Sequence, residues 1–239
     1  MSESLLVASG KGGVGKTIFT VNLGAVLART GARTVLLDMN MGLRNLDICL
    51  GLENSVIYDI GDALGETCAL GQALIRDKRF PYMYLIAAAQ SKEKSHFTAR
   101  QMESLCEKLK KTFDYIIIDA PDGLDEGLAL AAAGADRAVI ITTQEYSSIR
   151  DADMTDQVLQ SLGVQKRSVV VNKLKEDLVE SGLVPSIAEI SESLRPPIVG
   201  MIPYDDNIHV AANNGLPLAL AQDNYICKNF ANIAERIFD

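Results

Sequence analysis

The sequence predicts an α/β fold, a single doubly wound and mostly parallel sheet with helices on both faces. Short runs rich in Val and Ile alternate with segments that carry apolar residues at helical spacing. Those runs are near-continuously apolar, as expected of strands buried on both faces. No linker interrupts the 239 residues, so residues 1–239 are read as one domain.

In order along the chain, Leu5–Ser9 reads as a strand and Lys16–Arg29 as the helix that follows it. Thr34–Asp38 and Tyr82–Ala87 are the next strands. Helix Thr98–Lys111 leads to strand Asp114–Asp119, and helix Leu124–Ala133 to strand Arg137–Thr142. Helix Ile149–Leu162 precedes strand Ser168–Asn172, and helix Ser186–Leu194 precedes strand Ile198–Ile202. A closing helix places Ile226, Phe230, Ile233 and Ile237 on one face. Such repetition implies right-handed crossovers, with ligands beyond the carboxyl ends of the strands.

Composition narrows the function. Hydrophobic residues make up 48% of the chain while aromatics make up 5% and Trp is absent, so the predicted core is aliphatic. A net charge of −8 weighs against non-specific nucleic-acid binding, which needs a basic surface. Cys49, Cys68, Cys106 and Cys227 are scattered without a CxxC pair, against a disulfide framework or zinc site and for a reducing compartment. Met1-Ser2-Glu3-Ser4 supplies no basic lead for a signal peptide, and charges bound the Ala-rich stretch Leu128–Ala135. The expectation is a soluble cytoplasmic protein.

Gly10-Lys11-Gly12-Gly13-Val14-Gly15-Lys16-Thr17 matches G-x-x-x-x-G-K-[ST], between a strand and a helix as a phosphate-binding loop requires. Its glycines let backbone N–H groups converge on phosphate oxygens, and the helix that opens here presents its positive end, with Ile18 beside it. Lys16 is expected to reach the β- and γ-phosphates, and the Thr17 hydroxyl to coordinate Mg²⁺. The predicted cofactors are therefore ATP and Mg²⁺.

Lys11 is a second cation early in the loop. KGGxGK[ST] resembles the deviant Walker A motif of the MinD/ParA family. The run Gly42-Leu43-Arg44-Asn45-Leu46-Asp47 is identical to a segment of its MinD-like members, and Asp119-Ala120-Pro121-Asp122-Gly123 resembles their D-x-P-x-G. Thr142-Thr143, Ser147–Asp151 and Ile202–Asp205 extend the resemblance over the whole chain.

The resemblance implies an ATP-dependent homodimer in which Lys11 crosses to the partner's nucleotide, comparable in role to an arginine finger. It also implies regulators of the MinC/MinE type and an output in septum placement. Asp38 and Asp119 would organise Mg²⁺, although Asp119 also suits a helix cap. Gly123 would sense the γ-phosphate. Asn172 would read the adenine edge beside Pro203, or serve as a strand-end turn residue.

Three departures stand out. Asn40 replaces an aspartate that orients the attacking water; an amide cannot take a proton at neutral pH, so intact binding and weak hydrolysis are expected. Gln144-Glu145-Tyr146 lacks a usual proline, and Asp122 puts an acid where a small residue is common. The last helix has only Lys228 and Arg236 as cations, so it reads as a closing helix rather than a membrane anchor. Peripheral attachment would need a further tail. A ParA-like partition protein and a non-hydrolysing scaffold are the competing readings; paired-cysteine metal-cluster carriers lack support.

Overall fold

The computed structural model describes residues 2–90, 97–218 and 225–239. Its strands are β1 (Glu3–Ala8), β2 (Thr34–Asp38), β3 (Ile75–Arg76), β4 (Met83–Ile86), β5 (Tyr115–Asp119), β6 (Arg137–Thr142), β7 (Lys166–Leu174) and β8 (Ile198–Pro203). They form one sheet in the order β3-β4-β2-β5-β1-β6-β7-β8. Every pairing is parallel except β3 with β4. The predicted α/β sheet is thus present, with one antiparallel edge.

The helices are α1 (Lys16–Arg29), α2 (Leu46–Cys49), α3 (Ile60–Leu64), α4 (Leu70–Ala73), α5 (Ala99–Lys110), α6 (Glu126–Ala132), α7 (Tyr146–Ser161), α8 (Glu176–Glu180), α9 (Ile187–Ser193), α10 (Asp206–Asn213) and α11 (Tyr225–Phe238). Strand side chains alternate between two cores because the backbone is pleated. Leu5, Val7, Leu36, Ile117 and Val139 pack with Phe19 and Leu23 of α1 and Phe230 and Ile233 of α11. Leu6, Ala8, Leu37, Ile118 and Ile140 pack with residues of α5, α6, α7 and α9. Both faces are covered, which explains why the strands read as continuous apolar runs.

At Gly24 and Gly200, glycine lets a helix lie directly on the sheet. A Cβ on Gly24 would lie 2.6 Å from Leu36 Cδ2, so α1 rests directly on β2, and one on Gly200 would meet Ile233 Cγ1 at 2.4 Å. Gly200 thereby seats α11 on β8, with Ile226, Phe230, Ile233 and Ile237 buried. The last helix is a closing helix, as its scarcity of cations suggested. Among the described residues no helix is long and apolar enough to cross a membrane.

Several elements differ from the sequence expectation. α7 begins at Tyr146, β7 runs on to Leu174, and α2, α3, α4, α8, α10 and β3 were not anticipated. Lys173 takes φ 56° inside β7, where the pairing with β8 shifts register, so the strand continues past an irregularity that resembles a turn.

Candidate nucleotide site

β1 lies at the sheet's centre between β5 and β6. The chain leaves β1 toward β2 but skips a position that β5 fills, which opens a crevice at the strand ends. The loop Gly10–Thr17 occupies it. Gly13 and Gly15 have φ of 76° and 100°, a region that strains any side chain bearing Cβ. Gly15 caps α1 without a side-chain hydrogen bond, and the first turn of α1 carries no acid. An N-terminus that supplies no anion of its own is suited to receive one. The resulting cleft, about 340 Å³, is lined by Gly13, Gly15, Lys16, Thr17, Ile18, Asn40, Asp122 and Lys173 among others.

Beneath the cleft, Asp38 and Asp119 end adjacent parallel strands in direct register and are fully buried. The Thr17 hydroxyl donates to Asp119 Oδ2 at 2.7 Å, Thr20 to Oδ1 at 3.1 Å and Asn40 Nδ2 to Oδ2 at 3.2 Å. Asp38 holds the following loop: its Oδ1 accepts the Asn40 N–H at 2.9 Å, and its Oδ2 those of Asn45 and Leu46 at 3.1 and 3.0 Å. The Gly42–Asp47 run owes its residues to this turn. Gly42 and Arg44 adopt φ of 91° and 49°, and Arg44 Nε donates to Asp47 at 3.0 Å.

Burial, then the Asp38 charge beside it, pushes the Asp119 carboxyl up to about 7; Thr17, Lys16 and Thr20 oppose this. Burial likewise raises Asp38, against the loop N–H groups. Two buried acids beside a hydroxyl make an all-oxygen donor set, suited to a hard divalent cation that would relieve their repulsion. Among the described residues, no group of three or more His, Cys, Asp or Glu could hold a metal alone. The Thr17 hydroxyl, water and phosphate oxygens would complete the sphere of such a cation.

The raised acid has a measurable consequence. Folded Asp119 keeps its proton up to about 7, whereas the unfolded group releases it near the ordinary 3.8. Its contribution to the stability of the ligand-free protein therefore falls as pH rises through that window. Asp119→Asn should flatten the pH slope of thermal melts there, and an unaltered slope would contradict the assignment.

The remaining predicted residues cluster unevenly. Asn172 Nδ2 donates to the Val14 carbonyl at 2.7 Å, and Asn172 and Pro203 line a small pocket with Gly15 and Ile18. Gly123, φ 98°, follows Asp122. Gly10 faces α7, where a Cβ would meet the Asp151 carbonyl at 2.9 Å. Lys11 is not among the cleft's lining residues. Its ammonium pairs with the carboxylate of Glu145 and lies 3.2 Å from Ser147 Oγ. Gly12 and Lys16 both meet Asp122. Sequence reasoning missed Thr20, one turn beyond Thr17 on an otherwise apolar helix face, and the Lys173 ammonium, 2.8 Å from the Gly13 carbonyl. Only the isolated polarity of Thr20 could have signalled the first.

Fold and loop together define a P-loop nucleotide-binding ATPase. Comparison with known proteins narrows this further. The chain belongs to the CobQ/CobB/MinD/ParA nucleotide-binding domain family, which matches residues 5–218, and within it to the MinD group. It is 43% identical over 238 residues to the septum site-determining protein MinD of Synechocystis sp., covering 99% of this chain and 90% of that one. Among solved structures it is similar to the MinC:MinD cell division protein complex of Aquifex aeolicus (TM-score 0.91, 35% identity, 99% of this chain and 96% of that one). It is also similar to the septum site-determining MinD of Pyrococcus horikoshii complexed with Mg-ADP (TM-score 0.87, 25% identity, coverages 99% and 96%).

Proposed function

We propose that this chain is a MinD-like ATPase switch that binds Mg-ATP, dimerises around it, and helps regulate placement of the division septum through regulators of the MinC/MinE type. The observation that carries the reading is the division of labour between two lysines of one loop. Lys16 lies inside the cleft, 5% exposed, while Lys11 is directed away from it to the start of α7. A cation excluded from its own cleft suits contact with a nucleotide held by a second copy. A partner of the MinC kind is supported by the similarity to the Aquifex complex.

In this reading Lys16 and the loop amides hold the polyphosphate, Asn172 and Pro203 flank the base, and the Gly123 N–H faces the terminal phosphate. Thr17, with Asp119 and Asp38 behind it, would hold Mg²⁺, which would neutralise phosphate charge and stabilise the negative charge that develops on the leaving oxygen. Asn40 orients water without taking its proton, so hydrolysis is slow. We place the protein in the cytoplasm. Because α11 gives its apolar face to α1 and β8, peripheral attachment to the inner face of the membrane would require other residues.

ATP can drive association only by binding the dimer more tightly than the monomer. Light scattering should therefore give twice the monomer mass with Mg-ATP and the monomer mass with Mg-ADP. Lys11→Ala should remain monomeric with both. Equal masses for the parent protein in both nucleotides would overturn the switch, and retardation of duplex DNA at low salt would favour the partition reading.

A further inference from the structure

Asp122 holds a position that the nucleotide reading leaves unexplained. Its carboxylate is ion-paired to the Lys16 ammonium, the group the loop provides for phosphate. The lysine side chain is 4% exposed and the aspartate 55%, so the acid reaches inward from the rim. Its Oδ2 also lies against the loop backbone, where a Cβ on Gly12 would approach it to 2.8 Å. One carboxylate thus touches both parts of the phosphate cradle, the glycine turn and the lysine. Like a phosphate edge, it offers negatively charged oxygens to the donor.

Its neighbours allow it to leave. Asp122 stands between Pro121 and Gly123; the latter has φ 98° and nothing within 4 Å of where its Cβ would be. The strand β5 and the buried Ala120 anchor the segment on one side, and Asp125 caps α6 on the other by accepting the Gly127 N–H at 3.0 Å. Pro121, Asp122, Gly123 and Leu124 lie between these anchors, and rotation of the half-exposed Asp122 side chain alone is enough to withdraw its carboxylate without moving either.

We propose that Asp122 is a resident phosphate surrogate that sets nucleotide affinity, occupying Lys16 until a diphosphate or longer chain displaces it. The proposal rests on the family's nucleotide binding and not on dimerisation or on a division partner. In the free protein Asp122 spares Lys16 the cost of a buried, unpaired charge. In the bound protein the phosphate takes that role and the carboxylate turns to solvent. Affinity is thereby reduced by whatever the ion pair contributes to the free state.

Isothermal calorimetry on the full chain tests this with Mg-ADP and with inorganic pyrophosphate. Asp122→Asn and Asp122→Ala should each tighten both ligands about three- to fivefold, the upper part of the range that a partly exposed ion pair supports. Glu126→Gln, which removes an equal charge from the exposed start of α6, should change neither by more than about twofold. The Asp122 variants should also melt lower than the parent without ligand and alike when saturated with Mg-ADP, because only the free state loses a partner. Unchanged or weaker pyrophosphate binding in both variants, or an equal gain in Glu126→Gln, would overturn the proposal. A parent protein that takes up no nucleotide would instead defeat the nucleotide reading itself.

Discussion

Lys16→Ala lowers the affinity for Mg-ATP by about 30- to 150-fold while leaving the fold intact. Hydrogen bonds to charged groups contribute about 1.5–3 kcal/mol, or roughly one to two decades in affinity. The Lys16 ammonium belongs at the upper end because water scarcely reaches it, and a partly desolvated charge acts on phosphate through a lower effective dielectric. The fold should survive because the paired acid left behind is Asp122, half exposed and free to resolvate, while the buried Asp119 keeps its hydrogen bonds from Thr17 and Thr20. Calorimetry with circular dichroism on the same samples checks both halves. Affinity within threefold of the parent would remove the loop from the nucleotide site, and with it the functional reading.

Asn40→Asp raises single-turnover ATP hydrolysis by about 100-fold or more, the lower part of the range for a positioned base or water-orienting group. The amide lines the cleft and donates to Asp119 Oδ2 at 3.2 Å. A carboxylate there could accept a proton from water but would lose that hydrogen bond. It would also join Asp38 and the raised Asp119 as a third packed acid. The same substitution should therefore lower the melting temperature of the ligand-free protein, and Mg-ATP should recover most of the loss by neutralising the cluster. Asn40→Ala, which removes the hydrogen bond without supplying a base, should not raise the rate. Phosphate release measured with protein in excess discriminates the cases. Equal, brisk turnover in all three proteins would show that position 40 does not limit the chemistry.

Much of the architecture was legible because its signals are local. Buried strands such as Leu5–Ala8 and Tyr115–Ile118 declare themselves by unbroken apolar runs, and α1 by the glycines ahead of it. Helices of four or five residues, α2, α3, α4 and α8, give no such signal, since one turn cannot display a 3.6-residue period. Their helical state depends on contacts, as with Leu46 and Ile60, which are wholly buried in the two cores. β3 has two residues and exists only because β4 offers it an antiparallel edge. At β7, Asn172-Lys173 resembles a strand end, yet the chain pairs with β8 again at Leu174, beyond the positive φ of Lys173.

By itself, the sequence determined the α/β class, the phosphate loop, the acids at the ends of β2 and β5, and the helical closure of the chain. Each is written in residue type and spacing, which constrain backbone dihedrals and burial within a few positions. Which polar groups meet across the fold is set by the tertiary arrangement. Thr20 reaches Asp119 across 99 positions, Lys16 reaches Asp122 across 106, and Lys173 reaches the Gly13 carbonyl across 160. Such pairings follow from the order in which strands stack, through the sum of many weak apolar contacts, and no short stretch of residues encodes that sum.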